Sequence, residues 1–343
     1  MVGGVVVDAL ALYEQAMGQD TALAGFYHRN VRVESDCGPV LVRIRSGESE
    51  RMDLTLWPEA ELLQSIGMHV AAVPCLLHAS RQPDFQIHEY VPGRRIDELA
   101  PDGEALPEAV LKAVEGFFAA LLRVPGAVLP PMPEHWPQDG DTPGFAGLLL
   151  ALVREIRRRG DHANLSLYEA LGVPEDPCAA LVERAGRMSR RLFRLLHADI
   201  HRKNMIMAED GHVAFLDWEL ALWGDPVYDL ADHLHKMSYT PTERRAVTQA
   251  WERSAPEECL TGWQADLDFY LAYEATKSAV VDTVRWGRLI ADTDDENERR
   301  RLCGELADKL TAAHPHWSWS TDAPLVTEPG DIGEAVDRCL RRP

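Results

Sequence analysis

The spacing of apolar positions divides the chain near residue 92. Over residues 5–17, "VVVDALALYEQAM", apolar residues recur at close to 3.6-residue spacing and predict a helix. Residues 31–47, "VRVESDCGPVLVRIRSG", alternate on both flanks of the turn-forming "DCGP" and predict a β-hairpin. On its second flank the two-residue period puts Val42 and Ile44 on one face and Arg43 and Arg45 on the other. A short helix is predicted over residues 58–67, with Pro at its start and Gly at its stop, and a strand over residues 85–93 that ends in Pro-Gly. After Gly93 the pattern becomes helical, in "LPEAVLKAVEGFFAALLRV" and "PGFAGLLLALVREIRRRG", with a loop rich in Pro and Gly between them. Helical character continues up to an extended "FRLLH". Two short strands then flank "EDG" in "NMIMAEDGHVAFLDW", and helix is predicted from residue 226 to about residue 314. In the last thirty residues the pattern supports a short helix near residues 333–341. No internal repeat is visible. The expected fold class is α+β: a small N-terminal mixed α/β unit over residues 1–91, and a larger, mostly helical unit over residues 93–343 with a small hairpin set into it.

Composition narrows the function classes. The chain has 343 residues, enough for more than one domain-sized unit, and 46% hydrophobic with 26% charged residues is ordinary for a soluble globular protein. Six scattered cysteines without a C-x-x-C pair speak against structural zinc and a disulfide framework, and fit reduced thiols in a cytoplasmic protein. No signal peptide or membrane-spanning stretch is seen. A net charge of −20 excludes nucleic acid as the main partner, since phosphate binding needs a basic face. It serves solubility or the binding of a cationic small molecule. Nothing points to an obligate protein partner. No lysine precedes Lys112, so the first unit depends on arginine for every strong cation.

Candidate chemistry concentrates in "LLHADIHRKNMIM" and the following "VAFLDWELALWGDPVYDLA". A polar surface loop is the plainest reading of the first stretch, but apolar strands bound it and anchor it in the interior. His197 and His201 stand four apart, as zinc ligands on a helix do. The surroundings are strand-like, however, no Glu follows the first His, and no third ligand is apparent. Phosphoryl transfer accounts for the residues better. It requires a carboxylate to take a proton from the attacking hydroxyl, and oxygen ligands for a divalent cation. Asp199, Asn204 and Asp217 supply these in that order.

His197-Ala-Asp199, Asn204, Leu216-Asp217-Trp218-Glu219 and Gly224-Asp225-Pro226-Val-Tyr228-Asp229 together resemble the aminoglycoside phosphotransferase and choline kinase superfamily, which shares the protein-kinase-like two-lobe fold. The resemblance runs from about residue 25 to residue 277. It implies a nucleotide-binding N-terminal lobe, a hinge at about residues 88–93 and a catalytic loop at 197–204. It implies a metal-binding segment at 216–219 and, as cofactors, ATP or GTP with Mg2+. Asp199 is then the base, His197 the histidine that props its loop, and Asn204 and Asp217 the metal ligands. Asp229 resembles the carboxylate that holds the loop backbone. Trp218-Glu219, where protein kinases have Phe-Gly, favours a small-molecule kinase. Arg43 is the expected phosphate-contacting cation in place of lysine, chosen over Arg45 by motif register, with Glu59 as its partner. The Glu89 carbonyl and the Val91 N–H are expected to meet the adenine edge, because Pro92 has no N–H. Where the family often has a Gly-containing phosphate loop, this chain has "FYHRN", and His28 and Asn30 are the candidates to donate to phosphate there.

For the acceptor, the carboxylates Glu219, Asp232, Glu274 and Asp282 are candidates to hold a cation. Lys203, in "HRKNMI", resembles the viomycin and capreomycin phosphotransferases. The expectation is an ATP-dependent O-phosphotransferase that inactivates a cationic antibiotic, an aminoglycoside or a basic cyclic peptide. The alternatives are a metabolic kinase acting on choline, an amino alcohol or a sugar, and a degenerate kinase fold that binds without turnover.

Overall fold

A computed structural model of the chain describes residues 8–19, 28–45, 53–317 and 325–341. Helix α1 (Ala9–Met17) begins later than the apolar pattern suggests, because Asp8 caps it: Asp8 Oδ1 accepts from Ala11 N–H at 3.1 Å. Residues 5–7 of the expected helix lie outside the described residues. Strands β1 (His28–Ser35) and β2 (Gly38–Arg45) form the expected hairpin around Asp36 and Cys37. Helix α2 (Glu59–Ile66) follows, and then a second hairpin of β3 (Leu76–Arg81) and β4 (Asp84–Glu89). The four strands make one antiparallel sheet in the order β1-β2-β4-β3. One face of the sheet, with Val31, Val33, Val42, Phe85 and Ile87, packs on Leu12 and Ala16 of α1 as a small core.

The chain leaves this sheet at Glu89 and enters a second one. There β5 (Arg94–Arg95), β7 (Met205–Met207) and β8 (Val213–Phe215) pair antiparallel, while β6 (Arg194–Leu196) pairs with β9 (Leu222–Gly224). Gly93 sits at the crossing, where a Cβ would collide with the carbonyl of Met207. Around these strands lie α3 (Ile96–Leu99), α4 (Glu108–Leu121), α5 (Thr142–Arg159), α6 (His162–Ala170) and α7 (Ala179–Ala185). Then come α8 (Pro226–Lys236), α9 (Pro241–Ser254), the long α10 (Trp263–Asp292), α11 (Glu296–Ala313) and α12 (Pro329–Leu340). The last is the terminal helix expected near residues 333–341, one turn longer at its start.

Packing divides the molecule somewhat differently from chain order. Trp57, Leu62, Leu63, Ile66 and Val70, around α2, belong to the core of the large helical lobe and not to the core under the first sheet. Trp57 Nε1 donates to Pro130 O at 3.1 Å, and Phe215 N donates to Ala72 O at 2.9 Å. Helix α2 is therefore fixed to the same body as the 197–217 region. Among the described residues no helix is long and apolar enough to cross a membrane.

Candidate active site

The site is built where the second sheet meets α8 and the edge of the first. Asp225 caps α8, accepting from Val227 N at 3.1 Å, and the buried Arg191 holds it through Nε at 3.0 Å. Gly224 precedes it because a Cβ there would lie 2.5 Å from the Phe145 ring. With its N-terminus so fixed, α8 presents Asp229, Asp232 and Lys236 to the catalytic loop, spaced to share one face.

Asp229 grips the start of that loop. Its Oδ1 accepts from Ala198 N at 2.7 Å and its Oδ2 from His197 N at 3.1 Å. The grip offsets a backbone cost, since Ala198 has φ 60°, the left-handed region that a residue with a Cβ seldom occupies. Burial pushes the Asp229 carboxyl up to about 7, against the pull of these two N–H groups. Arg202, fully buried, staples the far end of the loop by donating to Ala100 O at 2.6 Å and Met237 O at 2.9 Å.

Asp199 and Asn204 meet directly: Asn204 Nδ2 donates to Asp199 Oδ2 at 2.8 Å and to Asp199 O at 3.0 Å. Leu216 N donates to Asn204 O at 2.8 Å, which brings Asp217 to the same end of the β7–β8 hairpin. Asp217 also has a left-handed backbone, φ 64°. Its Oδ1 accepts from Arg43 Nη2 at 2.8 Å, and Arg43 Nη1 donates to Glu59 Oε1 at 2.7 Å. The same Glu59 oxygen takes the N–H of Trp218 at 3.0 Å, so α2, β2 and the 216–219 segment are locked together. Arg43 and Glu59 are buried, whereas Arg45 is exposed and reaches only Asp84, at 3.5 Å. Burial works against the Arg43 charge, but Glu59 and Asp217 more than offset it and hold the guanidinium charged.

His28 Nδ1 lies 3.4 Å from both Arg43 Nη2 and Glu219 Oε2. Burial, with Arg43 beside it, pushes the imidazole down to about 4, while burial and then Asp217 push the Glu219 carboxyl up to about 8. Asn30 lies across the strands from Arg43, and its buried Oδ1 has no partner among the described residues. Phe26 and Tyr27 of the expected phosphate loop lie outside the described residues. At the crossing between lobes, Glu89 N donates to Cys75 O at 2.8 Å, and the Val91 N–H meets no backbone acceptor among the described residues.

His197 Nε2 donates to Leu216 O at 3.1 Å, and the ring packs against Trp218 and Phe117. His201 Nδ1 is occupied by Lys203 N at 3.3 Å. Among the described residues no group of three His, Cys, Asp or Glu side chains gathers to hold a metal, so the two imidazoles have no third ligand for zinc. Asn204 and Asp217 suit a harder cation. The amide nitrogen of Asn204 is spent on Asp199, so its oxygen remains, and Asp217 is about a third exposed. Two protein oxygens completed by phosphate and water match what Mg2+ takes.

Several acceptor candidates are placed otherwise than expected. Asp232 is fully buried, 2.8 Å from Lys236 Nζ and 3.7 Å from Lys277 Nζ; Glu274 is buried 2.8 Å from Lys277 Nζ. Asp282 is bound to Lys309 at 2.8 Å. These three carboxylates have lysine partners of their own and do not present free charge to a cationic substrate. Lys203 is exposed, with its side chain directed to no partner among the described residues. Lys236 went unnoticed in the sequence, although it donates to Asp199 Oδ1 at 2.7 Å. The i, i+4 spacing of Asp232 and Lys236 was a usable signal. Burial works to raise the Asp199 carboxyl, but Lys236 and His201 outweigh it and hold it well below the usual carboxylate range.

The family model described as phosphotransferase enzyme family matches residues 21–265. The chain belongs to this family. It is a phosphotransferase with the protein-kinase-like fold. Among solved structures it is similar to choline kinase LicA from Streptococcus pneumoniae, at 14% identity, TM-score 0.55, covering 84% of this chain and 92% of that one. It is also similar to a thermostable mutant of aminoglycoside phosphotransferase APH(4)-Ia, at 17% identity and TM-score 0.54, covering 97% and 99%. A third is spectinomycin phosphotransferase, solved with ADP and spectinomycin, at 11% identity and TM-score 0.52, covering 98% and 100%. No curated protein matches the chain by sequence.

Proposed function

We propose that this phosphotransferase moves the γ-phosphoryl group of ATP to a hydroxyl of a small molecule, with Asp199 as the base. The observation that carries the reading is the join of Asp199 to Asn204 at 2.8 Å, with Asn204 in turn tied to the backbone beside Asp217. A base and two hard-cation ligands thus stand at one end of one hairpin. Asn204 Oδ1 and Asp217 would hold Mg2+, which neutralises phosphate oxygens when bound. Arg43, steadied by Glu59, faces the same region and can grip phosphate oxygens through its planar fork. The residue 1–91 lobe supplies the nucleotide contacts. His28 and Asn30 lie beside Arg43, and the free Val91 N–H is the donor for the adenine edge. Asp199 takes the hydroxyl proton as the oxygen attacks phosphorus in line.

The acceptor class follows from charge. A net charge of −20 favours a cation, and similar structures include enzymes named for choline, aminoglycosides and spectinomycin. A cationic antibiotic is the acceptor we favour, with Glu219 and the overall field, not Asp232 or Glu274, meeting its charge. ATP as donor implies a cytoplasmic protein.

The test is ADP release from Mg-ATP with a panel of aminoglycosides, basic cyclic peptides, choline, ethanolamine and sugars, with mass spectrometry to find which gains a phosphoryl group. Asp199→Asn should still bind Mg-ATP and lose about 10²- to 10⁴-fold in turnover. Phosphorylation of choline or a sugar alone, with no drug tolerance conferred on a host, would replace the antibiotic by a metabolite. Full turnover in Asp199→Asn would remove the base from its role.

A further inference from the structure

Lys236 is the least expected group at the site. Its ammonium lies 2.7 Å from Asp199 Oδ1, 2.8 Å from Asp232 Oδ1 and 3.3 Å from Ala198 O. An ammonium has three protons, and three oxygens surround this one. Beyond Asp232 the order continues, with Lys277 3.7 Å away and Glu274 2.8 Å from Lys277. A row of alternating charges therefore runs from the catalytic loop on α8 to the interior of α10: Asp199, Lys236, Asp232, Lys277, Glu274. Alternation is what makes burial tolerable, because an unpaired charge at any of these places would bear the full desolvation cost.

The row is an expensive way to join two helices. Neither oxygen of Asp232 has a well-formed hydrogen bond, so it is held by ion pairing alone. An apolar contact of similar volume serves stability as well or better. What ion pairing supplies, and an apolar contact does not, is a fixed direction for the carboxylate at its end. Asp199 is held from both sides, by Lys236 on Oδ1 and by Asn204 on Oδ2. The hydrogen bonds of Lys236 go to Asp199 Oδ1 and Ala198 O, and the charge of Asp232 holds the ammonium between them.

We infer that Lys236 is a positioning residue: braced by Asp232, it fixes the rotation of the Asp199 carboxylate and keeps its negative charge in place for proton abstraction. This rests on the reading of Asp199 as the base. Asp232 and Lys277 act one step further back, as the brace.

The experiment measures steady-state ADP release from Mg-ATP in the wild type and three variants. Lys236→Met should lower kcat about 10²-fold, the cost of a catalytic group misplaced by about an ångström, with KM for Mg-ATP within threefold. Lys236→Arg keeps the charge and should recover at least tenfold of that loss. Because Lys236→Met leaves Asp232 buried with Lys277 alone, 3.7 Å away, the double variant Asp232→Asn, Lys236→Met removes the poorly compensated charge. Its melting temperature should return towards that of the wild type while kcat stays low. Recovery of kcat together with the melting temperature would reduce Lys236 to a structural brace. A rise in KM with kcat intact would make it a phosphate ligand, and undiminished turnover in Lys236→Met would also overturn the inference. Absence of ADP release in the wild type itself, with every acceptor tried, is failure of the phosphotransfer reading, and the inference falls with it.

Discussion

Two charge clusters border the reaction centre, and they are balanced differently. At the edge of the first sheet, three carboxylates, Glu59, Asp217 and Glu219, gather near one guanidinium, Arg43. Along α8 and α10, three carboxylates alternate with two ammonium groups. The first cluster is short of positive charge, and this shows in Glu219, whose carboxyl is pushed up to about 8. The second is nearly neutral without any ligand. A site that must admit a metal-bound triphosphate needs unspent anionic oxygen; one that must aim a base needs its charges matched beforehand. The choice of cation agrees. Arg43 spreads two nitrogens over two acids, whereas Lys236 gathers three oxygens around a point charge.

Removing Arg43 breaks the comparison hardest. Arg43→Ala leaves Glu59 buried without its cation, a change of about 3–5 kcal/mol for a broken buried pair. Mg-ATP affinity should fall at least about 10²-fold, in line with the loss of charge-assisted bonds to phosphate. Denaturant unfolding and calorimetric titration measure the two. Affinity within threefold of the wild type would mean that phosphate is held elsewhere, and the contrast between a ligand-completed and a self-completed cluster would go with it.

A smaller effect tests the shortage of positive charge. Mg2+ with ATP should raise the melting temperature of the wild type, by the equivalent of about 2.7 kcal/mol at a hundredfold excess over Kd. Asp217→Asn should lose most of that gain and Asp232→Asn should keep it, since on the proposed reading only the first removes a metal oxygen. Chelation of the metal should return the wild type to its starting value. Equal losses in the two variants would show that both clusters depend on the cation.

The two clusters also differed in how far they could be read from the chain. Asp199, Asn204 and Asp217 fall within nineteen consecutive residues between apolar strands, so order and spacing were enough to group them. Arg43 was separable from Arg45 by motif register, and the structure shows why the difference matters: one turns under the sheet to Glu59, the other stays in solvent. The row was not legible as a whole. The i, i+4 pair Asp232–Lys236 is local, but its contact with Asp199 depends on how α8 is set by Asp225 and Gly224. Its contact with Lys277 depends on the packing of α8 on α10. Without those contacts, Asp232 and Glu274 looked like free carboxylates. Strand β9 escaped for a simpler reason, because three residues cannot display a period. Strand β3, "LLHASR", mixes polar and apolar residues because its side chains are largely exposed.

Acid gives the smallest and most selective contrast. Arg43 stays charged at any pH the fold survives, but the row is flanked by groups that titrate. Burial pushes His197, His233 and His235 down to about 4 each. In the unfolded chain a histidine titrates near 6.5, so between pH 6.5 and 4 the unfolded state binds more protons. The stability these residues confer is complete above pH 6.5 and is lost as the pH falls. Each costs on the order of 1 kcal/mol at pH 5.5. Asp229 and Asp232 run the other way. Raised by burial to about 7 and about 6, they take up protons in the folded chain first and return somewhat under 3 kcal/mol over the same interval. Burial also pushes His28 and His88 down and Glu219 up, and with these included the expected balance is a modest net loss between pH 7.5 and 5.5, read as a fall in melting temperature. His235→Gln, at a position only partly buried, removes one of these histidines and should make the fall shallower, by on the order of 1 kcal/mol. A melting temperature that rises on acidification in the wild type would mean that the carboxylates dominate and that the row is less well matched than its geometry indicates.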